Sequence, residues 1–273
     1  MNLSASLPPL GWRKVAGRRG RPMVEPLESR IAPALASAFP LGNLDGNNGF
    51  AISGPGQVGD DVSVIGDVNG DGFDDVLIAA FGNPGAAYVI FGKASGFDAN
   101  VNLGALAVTD GFAVTNPSGQ PVANFATTAG AVGDLNGDGF ADFAVGSDSE
   151  KVGANNAAGA VYVVFGKATF ASPLDVATLD GTNGFKLTGV AANDFLGVSI
   201  APADDLNADG YGDLVVTASG ANGGVNLTGK GAAFVVFGKA GGFAPGVMSV
   251  STLNGTDFQS PARSAIASAA RAM

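Results

Sequence analysis

Asp67-Val68-Asn69-Gly70-Asp71-Gly72-Phe73-Asp74-Asp75 recurs as Asp134-Leu135-Asn136-Gly137-Asp138-Gly139-Phe140-Ala141-Asp142, and again as Asp205-Leu206-Asn207-Ala208-Asp209-Gly210-Tyr211-Gly212-Asp213. Each copy has Asp at positions 1, 5 and 9, Asn at 3, Gly at 6 and an aromatic residue at 7. D-G and N-G pairs are strong hairpin-turn signals, so one copy alone reads equally well as a polar β-turn. A turn does not need a carboxylate at position 9, and three copies keep it. Ca²⁺ takes six to eight oxygens from carboxylates, amides and backbone carbonyls, and alternate positions of a tight loop supply them.

The expected ligands are the side chains of Asp67, Asn69, Asp71 and Asp75 with the carbonyl of Phe73. The second set is Asp134, Asn136, Asp138 and Asp142 with the carbonyl of Phe140, and the third is Asp205, Asn207, Asp209 and Asp213 with that of Tyr211. About three Ca²⁺ sites follow. These are not EF-hands, which need a bidentate acidic residue at position 12; here that position is Ile78, Val145 and Val216. The flanks are short and β-branched, as in Val62-Ser63-Val64-Ile65 before the first loop and Val76-Leu77-Ile78-Ala79 after it. Each loop therefore joins two strands.

Working outward, the loop is one part of a longer repeat. A Gly-Phe opener recurs at Gly49-Phe50, Gly111-Phe112 and Gly184-Phe185, and Thr256-Asp257-Phe258-Gln259 begins a fourth copy. Each full unit closes on an aromatic strand: Tyr88-Val89-Ile90-Phe91-Gly92-Lys93, Tyr162-Val163-Val164-Phe165-Gly166-Lys167 and Phe234-Val235-Val236-Phe237-Gly238-Lys239. Each unit reads as opener, pre-loop strand, post-loop strand and closing strand. Four strands repeated in tandem indicate a β-propeller blade; a β-solenoid has shorter coils. The units are residues 45–108, 109–178 and 179–250, with a partial unit at 251–260 and the whole repeat region at 41–260. Phe50, Phe112 and Phe185, with Tyr88, Tyr162 and Phe234, read as packing residues rather than a stacking surface for ligand.

The pattern resembles the FG-GAP repeat family, found in the propeller of integrin α subunits and in many bacterial surface proteins. Gly59-Asp60-Asp61-Val62-Ser63-Val64 and Asn193-Asp194-Phe195-Leu196-Gly197-Val198-Ser199-Ile200 are similar to its G-D-x-x-G-x-S-V element. The second unit departs from it with Gln120-Pro121-Val122-Ala123-Asn124-Phe125, and Asp204 replaces the Gly that precedes the other two loops. The resemblance implies an all-β propeller, calcium in the loops and a role in protein interaction or cell adhesion.

Composition narrows the chemistry. The 273 residues include 43 Gly and neither His nor Cys. That excludes Ser-His-Asp and Cys-His nucleophiles, His or Cys zinc sites, and disulfides. Carboxylate-pair hydrolysis stays open, with Asp148 and Glu150 or Asp60 and Asp61 as candidates; the plainer reading makes these solvated surface charge. Positions 1, 5 and 9 of the loops take nine of the 24 acidic residues. A net charge of −10 argues against nucleic acid as partner. Calcium would relieve part of that self-repulsion.

Residues 1–40 hold six of the 14 basic residues and read as a disordered export or targeting segment without an apolar signal core. Val24-Glu25-Pro26-Leu27-Glu28-Ser29-Arg30 resembles the N-termini of many large exported or surface proteins of planctomycetes and related bacteria. A secreted or cell-surface location is expected, with no transmembrane segment, because no apolar run reaches spanning length. The sequons at Asn226 and Asn254 read as chance in a bacterial chain.

Residues 261–273 carry no repeat element. They read either as an Ala-rich helix or as a blade shifted out of frame: one base of slippage in codons for Ala-Gly-Asp-Val-Asn gives Arg-Ala-Met-stop, and the chain ends Arg271-Ala272-Met273. Propellers close with about four to eight blades, so three blades and a fragment predict an incomplete ring with edges open to self-association. The expected function is a non-catalytic, calcium-binding interaction or adhesion module for a protein or glycan ligand. The alternatives are the propeller part or remnant of a carboxylate-dependent hydrolase and a structural surface-matrix component.

Overall fold

The computed structural model describes residues 40–82, 85–116, 125–221 and 231–253. Five expectations lie outside them: the export segment up to residue 39, the variant element at 120–124, the two sequons, the fourth opener and the C-terminal tail. Two units separate at Asn43. The described part of the first is Pro40 and a 3-10 turn, Leu41–Asn43. The second holds every strand among the described residues.

That unit is all-β among the described residues. It begins with β1 (Ala51–Ser53), then β2 (Gln57–Gly66), β3 (Asp75–Phe81) and β4 (Ala86–Ile90). Next come β5 (Asn100–Asn102), a 3-10 turn at Leu103–Ala105, and β6 (Gly111–Thr115). The second pass is β7 (Thr128–Gly133), β8 (Asp142–Ser147), β9 (Ala160–Val164), β10 (Leu174–Asp175), a turn at Val176–Thr178, and β11 (Gly184–Thr188). The third is β12 (Leu196–Pro202), β13 (Leu214–Ala218), β14 (Ala232–Val236), β15 (Val247–Ser249) and a turn at Val250–Thr252.

These strands form propeller blades, but the blade boundary differs from the sequence period. The sheet order is β10-β6-β4-β3-β2 in the first blade and β15-β11-β9-β8-β7 in the second. The opener strand therefore pairs with the closing strand of the preceding unit: Phe112 lies opposite Val89, and Phe185 opposite Val163. A blade consists of pre-loop, post-loop and closing strands, the next unit's opener and, outside it, a short parallel strand, β10 or β15. The four expected strands of each unit occur in the expected order, the fifth was not expected, and the pairing is non-local and could not be read from one period. The third blade shows β12-β13-β14, and a two-stranded parallel sheet, β1-β5, stands at the other end. No ring closes among the described residues.

Alternation explains the packing. Leu77, Ala79, Ala87 and Val89 of the first blade meet Ala129, Phe143, Val145 and Tyr162 of the second in one core. Ala144, Val161 and Val163 point to the opposite face and meet Leu196, Ile200, Leu214 and Val216 of the third. The middle blade is buried on both faces, which is why its strands are nearly continuous apolar runs. Phe112 and Phe185 are buried and stack on Phe170 and Phe243 at 4.4 and 4.2 Å between ring centroids. The packing role expected for the opener and closing aromatics holds for these two and for Tyr88 and Tyr162, all buried. Phe50 and Phe234, at the ends of the array, are only half-buried.

Asp204 occupies the position of Gly66 and Gly133 and adopts their left-handed backbone, φ 49° against 77° and 76°. A Cβ is strained there. Asp204→Gly should raise stability by about 0.5–1 kcal/mol, read as a higher denaturation midpoint. An unchanged or lower midpoint would show that the Asp204 side chain offsets its own strain.

Candidate calcium loops

Each loop folds around its first aspartate. Asp67 Oδ1 accepts from the amides of Gly70 (2.7 Å) and Asp71 (3.1 Å), and Oδ2 from Gly72 (2.7 Å). Asp134 repeats all three contacts with Gly137, Asp138 and Gly139. Asp205 repeats two, with Asp209 and Gly210. Asn69 Oδ1 accepts from Asp71 N, and Asp71 Oδ1 from Phe73 N. Asn136 with Asp138, and Asn207 with Asp209, do the same, the latter two carboxylates accepting from Phe140 N and Tyr211 N. These are nested Asx turns, and short local bonds of this kind are what Asp and Asn offer a backbone.

The position-9 aspartates do something different. Asp75, Asp142 and Asp213 are fully buried. Asp142 Oδ2 accepts from Leu135 N (2.8 Å), and Oδ1 accepts from Gly166 N (2.8 Å), just past the closing strand. Asp75 holds Val68 and Gly92 in the same way, and Asp213 holds Leu206 and Gly238. Each is a clamp that ties the loop to the end of its blade. Burial pushes the Asp75 carboxyl up to about 6 and that of Asp142 up to about 8; Asp213 moves in the same direction for the same reason. The other two carboxylates of each loop add to the upward push.

Neighbouring loops are stitched along one rim. Ala141 N donates to Asp67 O and Lys167 N to Val68 O; Gly212 N donates to Asp134 O and Lys239 N to Leu135 O. The position-7 ring of one loop lies on position 4 of the loop before it. A Cβ at Gly70 would stand 2.6 Å from Phe140 Cε1, and one at Gly137 would meet Tyr211 Cε1. This close approach requires Gly at position 4 of the first two loops.

The donor set is all oxygen, the hard-ligand chemistry that suits calcium. Among the described residues, no three acidic side chains converge tightly enough to make a metal centre by themselves. Asp71 Oδ2 instead accepts from Asn69 Nδ2 at 2.9 Å, and the other two loops repeat this contact. Lys93 and Lys186 direct their ammonium groups to Asp110 and Glu150, outside the loops.

Residues 126–164 and 196–236 match the FG-GAP repeat family. The chain carries FG-GAP repeats. The two matched segments are the second and third blades, each from its pre-loop strand through its closing strand. Integrin alpha-PS5 of Drosophila melanogaster is 31% identical over 109 residues. That alignment covers 40% of this chain and 9% of the integrin's length.

The carboxylates weighed for hydrolytic chemistry are placed by the fold. Asp61 Oδ2 accepts from Ala129 N at 3.0 Å and joins the first two blades. Glu150 is not solvated: it is buried, accepts from the Tyr162 hydroxyl, and pairs with Lys186 Nζ. Lys186 also lies 5.0 Å from the Tyr162 ring centroid. The solvated reading of Glu150 is therefore corrected. Its partners come from β9 and β11, distant in sequence, so the residues around Glu150 gave no signal. The sequence reading also passed over position 2, where Val68 and Leu135 are buried between blades.

Proposed function

We propose that the FG-GAP array is a calcium-stabilised, non-catalytic interaction module of an exported or surface protein, acting in protein binding or adhesion. The observation that carries the calcium reading is the threefold Asp-rich loop, built on the same Asx-turn frame each time with its carboxylates unmatched by cations from Lys93 or Lys186. Each clamped carboxylate oxygen keeps a second lone pair, so holding amides does not disqualify it as a ligand. Binding would require Asp71, Asp138 and Asp209 to exchange the neighbouring Asn amide N–H for the ion. Calcium would then fix the loop and neutralise its clustered charge, a structural role. The integrin relative supports the adhesion reading. Among the described residues no helix is long and apolar enough to cross a membrane.

Thermal unfolding with calcium and with chelator tests this. Calcium should raise the midpoint by several degrees for each site it fills, since a ligand at 100 times its Kd adds about 2.7 kcal/mol per site. Replacing Asp71, Asp138 and Asp209 together by Ala should abolish that response while leaving the chelated midpoint nearly unchanged, because all three are exposed or half-buried. A midpoint indifferent to calcium sinks the metal reading.

A further inference from the structure

Two peptide groups join an expected ligand of one loop to an expected ligand of the next. Val68 N donates to Asp75 Oδ2 at 3.0 Å, within the first loop. The carbonyl of that same peptide group, Asp67 O, accepts from Ala141 N at 3.0 Å, in the second loop. Ala141 N belongs to the peptide group of the Phe140 carbonyl. The line therefore runs from the Asp75 carboxylate, through two peptide groups, to Phe140 O. It recurs one blade further on. Leu135 N donates to Asp142 Oδ2 at 2.8 Å, and Gly212 N donates to Asp134 O at 2.8 Å. Gly212 N belongs to the peptide group of the Tyr211 carbonyl. A trans peptide group is planar, so turning the carbonyl at one end moves the N–H at the other.

Two further contacts at each junction start from the same later loop. Asp142 Oδ1 holds Gly166 N, and the next amide, Lys167 N, donates to Val68 O at 2.9 Å. Asp213 Oδ1 holds Gly238 N, and Lys239 N donates to Leu135 O at 2.8 Å. The Phe140 ring lies against Gly70, and the Tyr211 ring against Gly137. The second loop thus fixes the first at Asp67, Val68 and Gly70, and the third fixes the second at Asp134, Leu135 and Gly137. Among the described residues, no hydrogen bond runs directly from the first loop to the third.

On the calcium reading of the loops proposed above, we infer that neighbouring loops fill cooperatively, each raising the calcium affinity of the loop beside it. Coordination by the Phe140 carbonyl sets the plane of the Phe140–Ala141 peptide group, and with it the N–H that Asp67 O accepts. The Asp142 carboxylate, held in place, keeps Gly166 and Lys167 against Val68. Backbone that one ion has ordered need not be ordered again for the next, which is the condition for positive cooperativity. Charge acts the other way, because a filled neighbour is less negative. The position-5 carboxylates that carry much of that charge, Asp71, Asp138 and Asp209, are exposed or half-buried, so salt screens it. The peptide contacts are not screened in this way. The second loop is the hub: it touches both others, whereas the first and third communicate through it.

Calorimetric calcium titrations of the full chain test this at about 0.15 M salt, where the Debye length is about 8 Å. Asp209→Ala leaves the adjacent first and second loops, and Asp138→Ala leaves the separated first and third. Pairwise combinations of Asp71→Ala, Asp138→Ala and Asp209→Ala leave one loop each. For independent loops, the overall constant of a two-loop chain equals the product of its one-loop constants. Asp209→Ala should exceed that product by about fivefold or more, and Asp138→Ala should match it. In the chain that keeps the first loop alone, calcium should slow hydrogen exchange at the Ala141 amide, which coupling through charge would not do. Matched products for both chains, an equal excess in both, or an Ala141 amide indifferent to calcium would overturn the coupling while leaving calcium binding intact. No calcium binding by any chain would remove the calcium reading and the coupling with it.

Discussion

Asp142→Ala should cost about 3–4 kcal/mol of stability with or without calcium, because it leaves the buried amides of Leu135 and Gly166 without acceptors. Each orphaned buried donor costs about 1–3 kcal/mol, and the side chain itself is fully buried. For a chain of this size the midpoint falls by about 10 °C. Asp142→Asn should cost less: it keeps one acceptor and sets its amide N–H against a donor. The chelated state is the informative condition, since Asp138→Ala should be nearly silent there while Asp142→Ala is not. Urea unfolding in chelator checks this. Equal effects for the two substitutions would mean that the clamp contributes nothing apart from the loop.

Lys186→Met should cost about 3 kcal/mol, because it strands the Glu150 carboxylate in a buried site. The Tyr162 hydroxyl has one proton and satisfies only part of that carboxylate. Burial and the neighbouring Glu150 carboxylate both push the Tyr162 hydroxyl pKa up, so it remains a donor. Adding Glu150→Gln should recover most of the loss, since a neutral amide oxygen accepts from Tyr162 without needing a cation. A fully hydrophobic replacement of the pair need not be destabilising, so the double variant, not the single, isolates the stranded charge. Denaturant midpoints of the single and double variants measure the coupling. No recovery in the double variant would place the cost in lost Lys186 packing over the Tyr162 ring instead.

The contrast between Asp138 and Asp142 shows how far the chain could be read before folding. Both are Asp in one nine-residue phrase, and both were expected as ligands. Asp138 bonds within its own loop, to Phe140 N and Asn136, so its part in the turn follows from spacing alone. Asp142 reaches Gly166, on the far side of a strand pair. Glu150 is similar: its Lys and Tyr partners arrive from β9 and β11. Val68 and Leu135 looked like spacers between ligands, and only blade stacking shows that they fill the interface.

By itself, the sequence determined the features whose interactions span a few residues. These are the nested turns of the three loops, the strands on either side, the period of the repeat and the exclusion of His- and Cys-based chemistry. Tertiary structure alone decided which strands share a sheet. It put each opener on the preceding blade, made the position-9 aspartates clamps and buried Glu150. The physical reason is distance along the chain. An Asx turn closes over two to five residues and is written in adjacent letters. A strand edge or a blade face is satisfied by whichever segment the fold brings to it, and nothing in the strand's own residues names that segment.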